Sequence, residues 1–194
     1  MTGRMGSVLG AVLAAGVVGF AGLWPAPASA QAQPAEVKVA VIAPLSGPWA
    51  RQGDLVRMGV EMAIDDINRA GGIKALGGAK MQAIIADAGD NAEKAKNAAQ
   101  RLLAQEPDLV GGTGAWLSSF TLAVTEVTER AELPWLTLSY SDQLTDRGFR
   151  YVFQTSPIGT AQAEMALPTV LALAQSATGR KPASTAIIMD NTAS

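Results

Sequence analysis

Apolar and polar positions along this chain switch repeatedly between a strand-like and a helix-like period. Val37 to Ala43 (VKVAVIA) is a β-branched run closed by Pro44, which predicts a buried strand. A Gly/Pro/Ser loop, Pro44 to Gly53, follows. From Asp54 the apolar residues Val56, Val60, Ala63, Ile64 and Ile67 share one helical face, and Gly71-Gly72 ends that helix. Lys80 to Ala86 predicts a second strand. Asp90-Asn91-Ala92-Glu93 reads as a capping box, with Asp90 as N-cap, for a helix whose inner face is Ala95, Ala99, Leu102 and Leu103. Asp108 to Gly111 predicts a short third strand and Gly112 to Leu117 a loop. Ser118 or Ser119 then caps a helix carrying Val124 and Val127. Pro134–Leu138, Tyr151–Gln154 and Ala183–Met189 predict three more strands. A polar loop, Ser139–Gly148, lies between the first two, and a helix from about Thr160 to Gln175, bent or restarted at Pro168, precedes the last. Strands alternating with helices at this spacing imply βαβ units, a parallel sheet, and ligand binding beyond the carboxyl ends of its strands.

The first thirty residues follow another logic. Arg4 is the only charge before Glu36, and an apolar run from Val8 to Trp24 ends in Pro25, Pro27 and Ala28-Ser29-Ala30. That order predicts a secretory signal peptide cleaved after Ala30. A membrane anchor competes, but the run of about 17 residues is at the short limit for a span and rich in Ala and Gly. Gln31 to Glu36 is a polar linker.

Composition narrows the chemistry. The 194 residues are 48% hydrophobic and 16% charged, a globular balance. A net charge of −2 offers no electrostatic footprint for nucleic acid. Without cysteine there is no disulfide, thiolate metal site or lipidated cysteine, and without histidine no Ser-His-Asp triad. No G-x-S-x-G elbow is present, so a secreted hydrolase is disfavoured. Asp65 and Asp66 are neighbours on a helix and point about 100° apart, a poor acid–base pair. Asp87 is not followed by a run of oxygen ligands for calcium or magnesium. Gly111-Gly112-Thr113-Gly114 lacks the Lys-Ser/Thr of a phosphate loop. No catalytic residue, metal site or cofactor is expected.

Three stretches, taken together, carry a resemblance. They are VIAPLSGPWA (Val41–Ala50) with Gly53 and DINRAGGI (Asp66–Ile73); Val110-Gly111-Gly112 through Ser118-Ser119 to Leu122-Ala123; and LTDRGF (Leu144–Phe149) followed by Tyr151-Val152-Phe153 and Thr155-Ser156-Pro157. In this order the chain resembles the amino-terminal lobe of the leucine/isoleucine/valine-type periplasmic binding proteins, the solute-capturing subunits of ABC importers. The resemblance covers Val37 to Ser194. It implies an α/β, three-layer, Rossmann-like lobe with a parallel sheet at 37–157, the start of a second lobe at 158–194, and a ligand cleft between lobes. Members are roughly twice as long, so a fragment is expected, lacking most of the second lobe and the segment that returns to complete the first.

The same resemblance assigns roles. Ser118 and Ser119 enter a helix where free N–H groups and the helix dipole favour an anion such as an α-carboxylate; capping alone also explains a serine there. Ser139, Tyr140 and Ser141 lie in the loop the family uses for carboxylate and ammonium groups, although Tyr140 also fits an ordinary loop residue. Trp49 and Gln52 lie where the family often places a side chain over the ligand; a tryptophan packing the lobes together is the plain alternative, and Trp116 is similar. The implied protein is a periplasmic, non-enzymatic, monomeric binder of a small solute, most simply a branched-chain amino acid, serving a permease in the inner membrane. Aromatic amino acids, amides, urea-like solutes and aromatic acids are bound by relatives. A ligand-sensing lobe of a receptor or regulator, and a truncated product without function, are the other readings.

Overall fold

The computed structural model describes residues 36–188; the expected signal peptide and its cleavage point lie outside them. Five strands form one parallel sheet in the order β2-β1-β3-β4-β5: β1 Glu36–Ala43, β2 Lys80–Asp87, β3 Leu109–Gly114, β4 Trp135–Thr137 and β5 Val152–Gln154. Between them run α1 (Ala50–Arg69), α2 (Ala92–Gln105), α3 (Ser118–Arg130) and the short α4 (Gln143–Asp146); α5 (Gly159–Thr178) follows β5. The architecture is the expected α/β sheet with helices on both faces. Strand β1 is central, and Val41, Ile42 and Ala43 are completely buried, which is why that strand reads as an unbroken apolar run.

One face is closed by α2 and α3. Ala95, Ala98, Ala99 and Leu102 of α2 meet Phe120 and Val124 of α3 over Ala40, Ile42 and Trp135 of the sheet. The small α2 residues let that helix lie close to the strands. The other face carries α1, which covers β1 and β2 and buries Gly53 and Ile64 but leaves Leu55, Met58 and Met62 exposed. Leu136, Leu138 and Phe153 alternate with the buried Trp135, Thr137 and Val152 and so stand on this open face. An apolar groove of about 680 Å³ runs between α1 and strands β3 and β4.

Several boundaries differ from the sequence reading. Helix α1 begins at Ala50, not Asp54, entered from a 3₁₀ turn at Gly47–Trp49. Gly53 is not a loop residue: an added Cβ would lie 2.0 Å from the Pro44 carbonyl oxygen, so glycine serves close approach of helix to strand. Asn91, not Asp90, caps α2, accepting from Lys94 N at 2.9 Å, while Asp90 pairs with Lys94 Nζ. Strand β3 continues through Gly114, taking in glycines read as loop; the register shifts between Lys38 and Val39, leaving Val110 as a bulge. The Ser139–Gly148 loop contains α4, pinned by the buried Leu144. Helix α5 passes through Pro168 without interruption; its surface is exposed, so the Glu164 carbonyl that loses its donor can be hydrated. The expected sixth strand is absent over 183–188, where Ile187 and Ile188 are exposed. A β-branched run becomes a strand only by pairing, and no described strand pairs with it.

Candidate functional site

Three loops gather beyond the carboxyl ends of β1, β3 and β4. The first, Pro44 to Trp49, is held by the carboxylate that ends β2: Asp87 accepts from Leu45 N and Gly89 N, both at 2.8 Å. Burial raises the Asp87 pKa, but hydrogen bonds from the Ser46 hydroxyl and the Gly89, Leu45 and Ser46 amides outweigh it and hold the carboxyl below its usual range. The loop delivers Trp49 edge-on to Trp116, with ring centroids 5.6 Å apart and planes at 61°. Both rings are half-buried. Gln52, in the first turn of α1, has its Oε1 shielded from water with no donor among the described residues.

The second loop turns the chain from β3 into α3. Gly114 (φ +111°) lies against the Ile42 carbonyl, and Ala115, completely buried, takes φ +49°, the left-handed region that a non-glycine residue enters at a cost. Leu117 is then the N-cap, with extended backbone and no side chain to cap with. The expectation that Ser118 or Ser119 caps α3 is therefore not met, because both already lie within its first turn. Ser118 is buried and its Oγ accepts from Ser141 N at 3.3 Å; Ser119 is half-buried. The N–H groups of these two residues have no helical acceptor, and no side chain substitutes for one.

The third loop follows β4. Ser139 is 1% exposed, and its hydroxyl lies 2.7 Å from Thr121 Oγ1, 2.9 Å from the Trp116 carbonyl and 3.0 Å from Thr137 Oγ1. The structure thus places Ser139 beneath the site, with its side chain spent on the chain itself. Its carbonyl accepts from Gln154 Nε2 at 2.7 Å and Ser156 Oγ at 3.2 Å. Tyr140 is half exposed, and its carbonyl accepts from Gly159 N at 2.7 Å. Ser141 reaches the site through the amide that meets Ser118. Asp142 accepts from Thr160 N at 3.3 Å and from the Thr160 hydroxyl, which, with the Gly159 amide, hold its carboxyl below the usual range. That contact ties the loop to the first turn of α5.

At this rim Ser118 meets Ser141 and Trp49 meets Trp116, with Ser139 beneath; Ser119 and Gln52 stand in the first turns of α3 and α1, and Tyr140 is exposed. Sequence reasoning missed Thr121, Thr137 and Gln154. A signal existed: Ser118, Thr121, Thr125 and Thr128 repeat at helical spacing, and all four are buried.

The arrangement provides unpaired N–H groups, hydroxyls, a shielded amide oxygen and two aromatic rings, suited to holding a small solute with an anionic group. Comparisons with known proteins bear on the family of the chain. The family model described as periplasmic binding protein matches residues 36–193. The Leu/Ile/Val-binding protein homolog 7 of Brucella melitensis is 36% identical over 141 residues, covering 72% of this chain and 33% of that protein. The Leu/Ile/Val-binding protein homolog 8 of Brucella abortus is 36% identical over 127 residues, covering 63% of this chain and 30% of that protein. Among solved structures, an ABC transporter substrate-binding protein from Desulfitobacterium hafniense in complex with Leu is 27% identical, with a TM-score of 0.61, over 71% of this chain and 39% of that one. The leucine binding protein LivK from Thermotoga maritima is 25% identical, with a TM-score of 0.61, over 71% of this chain and 38% of that one. The chain spans about a third of the length of the curated relatives it matches. With the family match running over every described residue and the loops gathered at the carboxyl ends of the strands, the chain belongs to the periplasmic binding protein family.

Proposed function

We propose that this chain is the amino-terminal lobe of an ABC-importer solute-binding protein that captures a small amino acid, of the branched-chain type, between two lobes. The observation that carries the reading is the uncapped start of α3: the Ser118 and Ser119 amides open between the Trp49–Trp116 pair and the loop after β4. An α-carboxylate supplies the acceptors these groups lack and sits at the positive end of the helix dipole. Gln52 Oε1 is an acceptor for the ammonium, and the tryptophans exclude water beside an aliphatic side chain. The two relatives named for Leu/Ile/Val binding and the neighbour holding Leu support this solute class.

Residues 37–157 form the lobe, and α5, none of whose residues is buried, starts the second. The second lobe supplies the partner for the 183–188 segment, and its return packs into the groove beside α1. Residues 1–30 direct export to the periplasm, where the closed, loaded monomer meets an inner-membrane permease. The protein performs no chemistry on its solute; hinge closure is its working step.

The test uses a version of the chain that includes the second lobe, titrated calorimetrically with L-leucine, L-isoleucine, L-valine and 4-hydroxybenzoate. Saturable binding of an aliphatic amino acid is expected. Ser118→Ala with Ser119→Ala weakens it by about 1–3 kcal/mol, the worth of hydrogen bonds to a charged group. Binding of no aliphatic amino acid, or an undiminished affinity in a folded double variant, overturns the reading.

A further inference from the structure

Beneath the rim lies a chain of buried hydroxyls. Thr121 and Ser139 are 0% and 1% exposed, and Thr137 is equally enclosed. Thr137 Oγ1 accepts from Ser139 N at 3.0 Å, so its own proton is free to go to Ser139 Oγ, also 3.0 Å away. Ser139 Oγ stands 2.7 Å from Thr121 Oγ1, and Thr121 donates to the carbonyl oxygen of Ala115. Each hydroxyl can therefore donate to the next, a sequence in which each bond polarises its neighbour. It starts at the end of β4 and finishes on Ala115, the one residue of the β3–α3 turn held left-handed without being glycine. The Trp116 carbonyl, 2.9 Å from Ser139 Oγ, is the competing acceptor for that one serine proton.

The geometry points to Thr121 as a positioning residue for solute binding. Through Ser139 and Thr137 it fixes the Ala115 turn, and thereby the direction in which the Ser118 and Ser119 amides face. The inference rests on the solute-binding reading above. A hydroxyl is needed at this position for a physical reason. Valine has the shape of threonine but would take the nearest donor from the Ala115 carbonyl, leaving it only the more distant Ser139 Oγ at 3.3 Å, in a closed interior where a poorly met polar group is costly. The turn would relieve that by rotating Ala115 out of its left-handed conformation, which swings the first turn of α3.

The experiment compares Thr121→Val, Thr121→Ser and Thr125→Val. Thr125 is buried on the same helix; its hydroxyl accepts from Arg147 Nη2 and donates to the Thr121 backbone carbonyl, both at 2.6 Å, so its valine variant is a structural loss that leaves the Thr121 hydroxyl in place. In the version that includes the second lobe, Thr121→Val is expected to bind L-leucine about tenfold more weakly, Thr121→Ser to restore binding, and Thr125→Val to leave it unchanged. In the ligand-free chain, amide exchange at Ala115, Phe120 and Ser141 is expected to accelerate in Thr121→Val and not in Thr125→Val. Full affinity in a folded Thr121→Val, or equal loss in Thr125→Val, overturns the proposal. If the parent binds no L-leucine, the solute reading fails for that probe and exchange alone decides: equal rates in the two valine variants then overturn the positioning role.

Discussion

Gly112 lies so close under Trp135 that a methyl group there would come within 2.4 Å of the indole Cζ3 and 2.9 Å of the Ala40 Cβ. Trp135 is completely buried at the centre of the closed face, with no space to yield. Gly112→Ala should therefore destabilise the chain by about 1–3 kcal/mol through overpacking, read as a lower urea midpoint with an unchanged slope. A midpoint equal to the parent's would show that the indole moves freely. The same residues explain a misreading. Glycines punctuate loops in most sequences, so Gly112 and Gly114 read as loop, yet here they are strand: Trp135 on the neighbouring strand β4 occupies the side-chain space of Gly112, and the Ile42 backbone that of Gly114. Nothing local in the sequence records that partner. The serines of α3 are a similar case: a serine before a helix reads as a cap, and only the backbone at Leu117 shows that the helix begins one residue earlier.

At the scale of elements, β1 and β2 were legible because burial on both faces, or one, writes itself as apolar runs, and α2 because its alanines repeat at helical spacing. What stayed hidden is the way the elements are tied at their ends. Asp87 closes β2 by holding the β1 loop, a role visible only when Leu45 N is 2.8 Å from its carboxylate. Its folded pKa is depressed, so by linkage its contribution is present above the unfolded value, about 3.9, and is lost as pH falls through the lower folded value. Asp87→Asn should lower the urea midpoint at pH 7, and the gap between variant and parent should shrink at pH 3. Asp90, Asp108, Glu126 and Asp142 also have depressed values and keep the parent acid-sensitive in both proteins. A gap of the same size at both pH values would mean the aspartate acts by shape rather than charge.

Across the whole molecule, the two faces of the sheet are treated unequally. The face under α2 and α3 is sealed, whereas the α1 face leaves Leu136, Leu138 and Phe153 open beside Leu55 and Met62, the last 67% exposed. Helix α5 adds Met165, Leu167 and Leu173, and none of its residues is buried. The apolar groove between α1 and strands β3 and β4 is uncommon on a protein that stays monomeric and marks a place where more chain or another molecule packs. On the two-lobe reading proposed above, further chain is the occupant. The 194-residue chain alone should then bind the dye anilinonaphthalene sulfonate and associate with rising concentration, whereas the version including the second lobe should do neither. Leu136→Lys with Leu55→Lys changes only exposed positions and should cut dye binding by the short chain while leaving its unfolding midpoint nearly unchanged. Equal dye binding by both lengths would mean that the groove remains open in the longer protein. The fold that places Ser118, Ser119 and the tryptophans on one rim would then complete itself without covering the opposite side of its own sheet.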